Sequence, residues 1–173
     1  MKKEIYVAGG CYWGTEHFFK QVNGVLDTEV GFANGNTENP TYEEVCKDDT
    51  GYAETVKIVY DSDKAPLDFL LKLYFMIIDP TSFNKQGEDE GEQYSTGIFY
   101  TDESDKEIIE NRIAKEAKKY DKKILVRVEP LKVFFPAKES HQDYLDKNPN
   151  GYCHVNISMF KVAKEATPEK YAD

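Results

Sequence analysis

The chain has 173 residues, 40% of them apolar and 31% charged, the composition of one globular domain large enough for its own core. A formal net charge of −10 repels phosphate backbones and so argues against nucleic acid as a partner. No apolar run reaches the ~20 residues that cross a bilayer, and Met1–Val7 is too short and polar for a signal peptide, so a cytoplasmic protein without a membrane partner is expected; a monomer is expected as well.

Ile5–Ala8 reads as a short buried strand, broken by Gly9-Gly10. A helix follows from about Trp13, because Thr15, Phe18, Phe19 and Val22 share one face, and Gly24 is placed to stop it. Val25–Ala33 is a second strand that runs into the turn Asn34-Gly35-Asn36. Thr55–Tyr60 alternates as a half-buried strand does. Pro66 suits a first helical position, with Leu67, Leu70, Leu71 and Tyr74 forming a stripe that Asp79-Pro80 ends. Residues 81–94 are polar, acidic and aperiodic, and are expected to be a surface loop. Thr96–Tyr100 is another strand. Ser104 and Glu107 fit a capping box for a helix carrying Ile109, Ile113, Ala117 and Tyr120. Ile124–Val128 alternates again, and 161–173 reads as a loosely held polar tail. Strands and helices interleave without repeat or linker, which predicts a single α+β domain.

Three cysteines at wide spacing, Cys11, Cys46 and Cys153, make a poor disulfide framework and point to reactive or inert thiols. Cys11 is singled out by its place. Gly9-Gly10-Cys11-Tyr12-Trp13-Gly14 falls between a strand and a helix, where unpaired N–H groups and the helix dipole favour negative charge. A thiol there is expected to have a lowered pKa. Tyr12 and Trp13 stand beside it as possible walls of a small apolar pocket.

Gly10-Cys11-Tyr12-Trp13-Gly14 resembles the Gly-Cys-Phe-Trp-Gly signature of type A peptide methionine sulfoxide reductases, with Tyr12 in place of the usual Phe. Pro40–Cys46, Thr50–Glu54, Asp79-Pro80-Thr81, Gln86-Gly87 through Gln93-Tyr94, and His141-Gln142-Asp143-Tyr144 continue the likeness in order and spacing over about residues 4–160. The resemblance implies a two-layer α/β sandwich around a mixed sheet, ferredoxin-like, with a catalytic domain at 1–160 and a tail at 161–173. It implies reduction of methionine S-sulfoxide, in proteins and free, without a cofactor or metal. Cys11 would attack the sulfur, Tyr12 and Trp13 would receive the methyl group, and Tyr42, Tyr94 and Glu54 would bind the oxygen, with Asp89 organising the site. The chemistry suits these residue types. A sulfoxide oxygen leaves only after accepting a proton, and burial among aromatics would keep Glu54 protonated. In one place the chain departs from the pattern: the family usually has Gly-His-Ala-Glu where this chain has Gly51-Tyr52-Ala53-Glu54.

Oxygen transfer would leave Cys11 as a sulfenic acid, which condenses with a second thiol. Cys153, in the turn-rich Asn148-Pro149-Asn150-Gly151-Tyr152-Cys153, is the expected resolving thiol. Cys46, at helical spacing from Tyr42, reads as a buried or spectator thiol. No cysteine follows Cys153, so a dithiol protein such as thioredoxin is the expected reductant.

Three other readings stand beside this one. Cys153, His154, His141 and a carboxylate could hold a metal, although adjacent Cys-His lacks the usual ligand spacing. Cys11 could be a hydrolase nucleophile with His17 or His141 as base, although no third triad member is evident. Tyr12-Trp13 could be a binding patch, which leaves the position of Cys11 without a reason.

Overall fold

The computed structural model describes residues 1–38, 40–46, 50–151 and 153–172. Its centre is a pair of helices on a mixed, mostly antiparallel sheet. Strand β1 (Lys2–Gly9) leads into α1 (Tyr12–Lys20), β2 (Val25–Ala33), the short α2 (Tyr42–Cys46), β3 (Ala53–Asp61) and α3 (Leu67–Met76). A small hairpin of β4 (Lys85–Gln86) and β5 (Asp89–Glu90) precedes β6 (Thr96–Tyr100) and α4 (Ser104–Ala117). The chain ends with β7 (Arg127–Pro130), β8 (Phe134–Pro136), α5 (Tyr144–Lys147) and α6 (Ser158–Glu165).

The six-stranded sheet has the order β7-β6-β1-β3-β2-β8. Only the β6–β7 pair is parallel, so the sheet is mixed. Within it, β1-α1-β2-β3-α3-β6 follows the ferredoxin-like βαββαβ pattern, and the α+β expectation holds. Period-two alternation divides the two faces. Ile5 and Val7 of β1, Val56 and Ile58 of β3 and Ile98 of β6 join Phe18, Phe19, Leu70 and Tyr74 in the main core. Tyr6, Ala8, Ala33, Ala53 and Phe99 point the other way into a smaller cluster covered by Leu131 and Phe134.

Several local expectations change. Residues 81–94 carry the β4–β5 hairpin and a 3-10 turn at Glu92–Tyr94. Buried Gln86 fixes this stretch: its Oε1 accepts from the Asp79 N–H at 2.8 Å and its Nε2 donates to the Asp79 carbonyl at 2.9 Å. Helix α4 is not capped by Ser104 and Glu107. Asp102 Oδ1 accepts instead from the Ser104 N–H and hydroxyl, at 3.0 and 2.7 Å. Pro66 is the N-cap of α3 rather than its first residue. The strand expected at Ile124–Val128 lies later, at Arg127–Pro130, where it can pair with β6.

The C-terminal stretch is not loose. Helix α6 runs across position 160, and a 3-10 turn spans Pro168–Tyr171. The cause is α3, which is apolar nearly all round and needs cover on its second side. Tyr171 lies against Phe69 with ring centroids 6.1 Å apart, Lys72 Nζ donates to the Tyr171 carbonyl, and Ala163 and Ala166 are buried. Of that tail, Asp173 lies outside the described residues.

Candidate active site

Sheet register assembles the site. Ala8 pairs with Thr55 on one side and Gly9 with Thr96 on the other. Glu54 of β3 and Tyr94, in the 3-10 turn that leads into β6, are therefore brought level with the turn that follows β1. Gly10 makes that turn in the left-handed region, at φ +85°, where a side chain is strained. Cys11 is then the N-cap of α1, as the sequence indicates.

Cys11 is 6% exposed. Burial pushes its thiol up, the charge of nearby Glu54 pushes it further, and the Trp13 N–H pulls it down. The expected lowering by the helix terminus is thus present but outweighed, and a lowered thiol is not found. Desolvation wins because the sulfur has left water, whereas a helix terminus contributes at most ~2 kcal/mol.

Glu54 is 1% exposed. Its Oε1 accepts from the Tyr12 N–H at 3.2 Å, so the carboxyl also sits at the α1 N-terminus. Its Oε2 has no hydrogen-bond partner among the described residues. Burial raises this carboxyl to about 8, the Tyr12 N–H opposes the rise, and the charge of Asp89 adds to it. Glu54 is therefore protonated at neutral pH and has a free oxygen. Its proton removes the second cause of the raised Cys11 thiol. Tyr42 and Tyr94 are half-buried, and both phenols are pushed up by burial first and then by the Glu54 charge. Both therefore remain hydrogen-bond donors.

Trp13 stacks on Tyr144 with ring centroids 3.8 Å apart and planes 10° from parallel. His141 closes the aromatic wall against Tyr12, Trp13 and Tyr42. Its Nδ1 lies 2.9 Å from the Tyr12 hydroxyl and 3.4 Å from Trp13 Nε1. An indole N–H can only donate, so Nδ1 accepts and the ring proton belongs on Nε2. Burial, with Lys138 beside it, lowers the His141 pKa and keeps the ring neutral. The extra hydroxyl of Tyr12 thus finds its partner in the chain. Neither His141 nor Tyr144 was singled out from the sequence as a wall residue. The signal was present in His141-Gln142-Asp143-Tyr144, where Gln142 anchors the segment by accepting from the Val30 N–H and donating to its carbonyl, both at 2.8 Å.

Tyr52, in place of the family's usual histidine, is turned away from the carboxyl. Its ring lies flat against Gly35 and its hydroxyl donates to the Thr37 carbonyl. The forces on Glu54 are burial, Tyr12 and Asp89.

Cys153 packs on α1. A Cβ at Gly14 would stand 2.6 Å from Cys153 Sγ, so only glycine lets this sulfur approach the turn after Cys11. The two sulfurs are near enough for a thiolate at Cys153 to push the Cys11 thiol up. Cys46 is exposed rather than buried, at the end of α2. Tyr152, part of the turn-rich segment that carries Cys153, lies outside the described residues. Among the described residues no group of three or more His, Cys, Asp or Glu could hold a metal. His17 faces Asp146 at 3.5 Å and Phe160, not Cys11.

A family model for peptide methionine sulfoxide reductase matches residues 3–171. The chain belongs to the peptide methionine sulfoxide reductase family. It is 57% identical over 166 residues to the peptide methionine sulfoxide reductase MsrA of Lachnoclostridium phytofermentans, covering 96% of this chain and 100% of that one. The corresponding protein of Clostridium acetobutylicum is 54% identical over 92% of this chain and 98% of its own. Among solved structures, reduced Mxr1 from Saccharomyces cerevisiae is 37% identical with a TM-score of 0.85, over 90% and 91% of the two chains. Mxr1 has also been solved in complex with Trx2; that structure is 27% identical with a TM-score of 0.60, over 83% and 84%. The α+β fold of that family and its methionine sulfoxide reductase activity are therefore this chain's own.

Proposed function

We propose that this chain reduces the S-sulfoxide of methionine in proteins, and of free methionine, using Cys11 as nucleophile and Cys153 as resolving thiol. The carrying observation is Glu54: a buried carboxyl raised to about 8, with one oxygen unpartnered among the described residues and the other bound to the residue after Cys11. The S-epimer follows from the family resemblance.

The sulfoxide methyl lies against Tyr12 and Trp13, and its oxygen faces Glu54, Tyr42 and Tyr94. Glu54 gives its proton to the oxygen as the Cys11 sulfur attacks the sulfoxide sulfur. The two phenols donate to the oxygen as negative charge grows, each contributing on the order of 3 kcal/mol. The oxygen ends on Cys11 as a sulfenic acid, the thiol proton replaces the one Glu54 gave, and methionine leaves with its sulfur reduced by two electrons. Asp89 acts on the charges of Glu54, Cys11 and Tyr94. Cys153 then displaces hydroxide from Cys11, forming a disulfide and water. A thioredoxin reduces that disulfide; the Mxr1 complex with Trx2 supports this partner. A cytoplasmic monomer without nucleic-acid or membrane partners completes the reading, consistent with a net charge of −10 and with no helix long and apolar enough to span a membrane among the described residues.

The test is one equivalent of a methionine sulfoxide peptide of either epimer, without reductant. The S-epimer should yield stoichiometric methionine and a Cys11–Cys153 disulfide on non-reducing peptide maps. Turnover by Cys11→Ser within tenfold of wild type, or a dominant Cys11–Cys46 bridge, would refute the assignment.

A further inference from the structure

One titratable side chain at the site has no part in the steps above. His154 lies across the first turn of α1: a Cβ at Gly10 would be 3.1 Å from its Nε2, and a Cβ at Gly14 would be 3.5 Å from its Nδ1. The point above Gly14 that touches Nδ1 also touches Cys153 Sγ, so ring and thiol share one small space. Both ring nitrogens are shut off from solvent and neither makes a well-formed hydrogen bond among the described residues, the Gly9 carbonyl being the one backbone acceptor that acts on the ring. Leaving a ring nitrogen dry and unpaired costs on the order of 1–3 kcal/mol. A purely structural side chain in that place would be better apolar.

The resolving step has a matching need. Cys153 Sγ donates to the Val155 carbonyl at 3.3 Å, and a carbonyl cannot take the proton away. Burial and the charge of Asp89 both oppose a free thiolate at Cys153. Glu54 is the acid of the preceding step and is bonded to the Tyr12 N–H. The site therefore needs a base for Cys153, and His154 is the neighbouring imidazole.

We propose that His154 is the proton shuttle of disulfide formation, taking the Cys153 thiol proton as its sulfur attacks Cys11 and returning it to the departing hydroxide. The S–S bond forms as the S–O bond breaks, the Cys153 sulfur is oxidised as the sulfenic sulfur is reduced, and the proton and hydroxide leave as water. Burial lowers the His154 pKa, with the Gly9 carbonyl pulling the other way, so the ring is neutral and able to accept a proton at neutral pH. The titratable group that shares its space is Cys153, and the charge of Asp89 on β5 acts on Cys153 and on Cys11 of the α1 turn. Gln86 of β4, against Gly10, is the neutral neighbour. This role rests on the reading of Cys11 as sulfenic acid and Cys153 as resolving thiol.

Rapid-quench single turnovers, with one equivalent of S-sulfoxide peptide and no reductant, separate the two steps. In His154→Asn, methionine release in the first turnover should stay within about threefold of wild type. Disulfide formation should slow about 10²-fold, at the lower end for acid–base catalysis, and a dimedone-trappable Cys11 sulfenic acid should accumulate. In the wild type, the disulfide step should rise with pH through a group below the usual histidine value and then level off. In His154→Asn the rise should move to alkaline pH, where the thiol ionises unaided. An unchanged disulfide rate, or a wild-type profile that follows only an alkaline thiol, would overturn the role of His154 alone. Should His154→Asn not fold, the wild-type profile decides. A wild-type bridge other than Cys11–Cys153 would overturn the resolving assignment and this role with it.

Discussion

Glu54 Oε1 meets the Tyr12 N–H at 3.2 Å inside the core, so the acid is fastened to the same helical turn that carries the nucleophile. Proton donor and sulfur cannot drift apart without unwinding the start of α1. Replacing Glu54 by Gln keeps the shape and the acceptor but removes the transferable proton. Single-turnover methionine release should slow by roughly 10²- to 10⁴-fold. In the wild type this step should decline above about pH 8, as the carboxyl loses its proton. An unchanged rate and profile in Glu54→Gln would mean that the proton comes from elsewhere.

The same carboxyl burdens the fold. Below pH 4.5 Glu54 is protonated both folded and unfolded. Between 4.5 and about 8 the unfolded chain ionises while the buried group keeps its proton, so native stability falls as pH rises through that window. Glu54→Gln removes this dependence. Urea denaturation should find the variant more stable than wild type by at least about 1 kcal/mol at pH 8, with the difference shrinking toward pH 5.

The Tyr12 hydroxyl and Trp13 N–H both rest on His141 Nδ1. Tyr12→Phe removes one of two donors and leaves the ring, so steady-state kcat/KM should change less than about threefold. His141→Ala removes the common acceptor and a ring in contact with Tyr12, Trp13 and Tyr42. It should raise KM for a sulfoxide peptide about tenfold, with a smaller effect on first-turnover chemistry. Equal losses from both variants would show that the Tyr12 hydroxyl itself takes part in the reaction.

Gly14→Ala tests the seat of Cys153. In an ordinary helix this change stabilises by about 0.5–1 kcal/mol. Here the new methyl would meet Cys153 Sγ at 2.6 Å, so the sulfur must move off α1. First-turnover methionine release should survive, while disulfide formation slows at least about tenfold. Recycling as fast as wild type would place the productive position of Cys153 elsewhere.

Much of the fold was legible because its periodicities are strong. Val25–Ala33 and Thr96–Tyr100 coincide with the strands read from alternation and bounding turns. The C-terminal helix was not legible, since only Ala163 of α6 is buried and its need arises from α3, far away in sequence. The hairpin at 85–90 depends on Gln86 gripping Asp79, a contact without a sequence period. At the site, the cap position of Cys11 could be read locally. The direction of its pKa could not, because desolvation depends on what the flanking strands bring beside the sulfur.

Helices α5 and α6 both rest on α1, and buried Leu145 and Val155 pin the chain on either side of Cys153. Cys153 is therefore a short span between two anchor points rather than the end of a free rope. Its effective concentration at Cys11 is set by those anchors and not by the length of chain beyond them. Extending the C-terminus should leave that concentration alone. Cutting at residue 160 would remove Ala163 and Ala166 from the core, release one end of the span and dilute the second thiol at the moment the first one needs it.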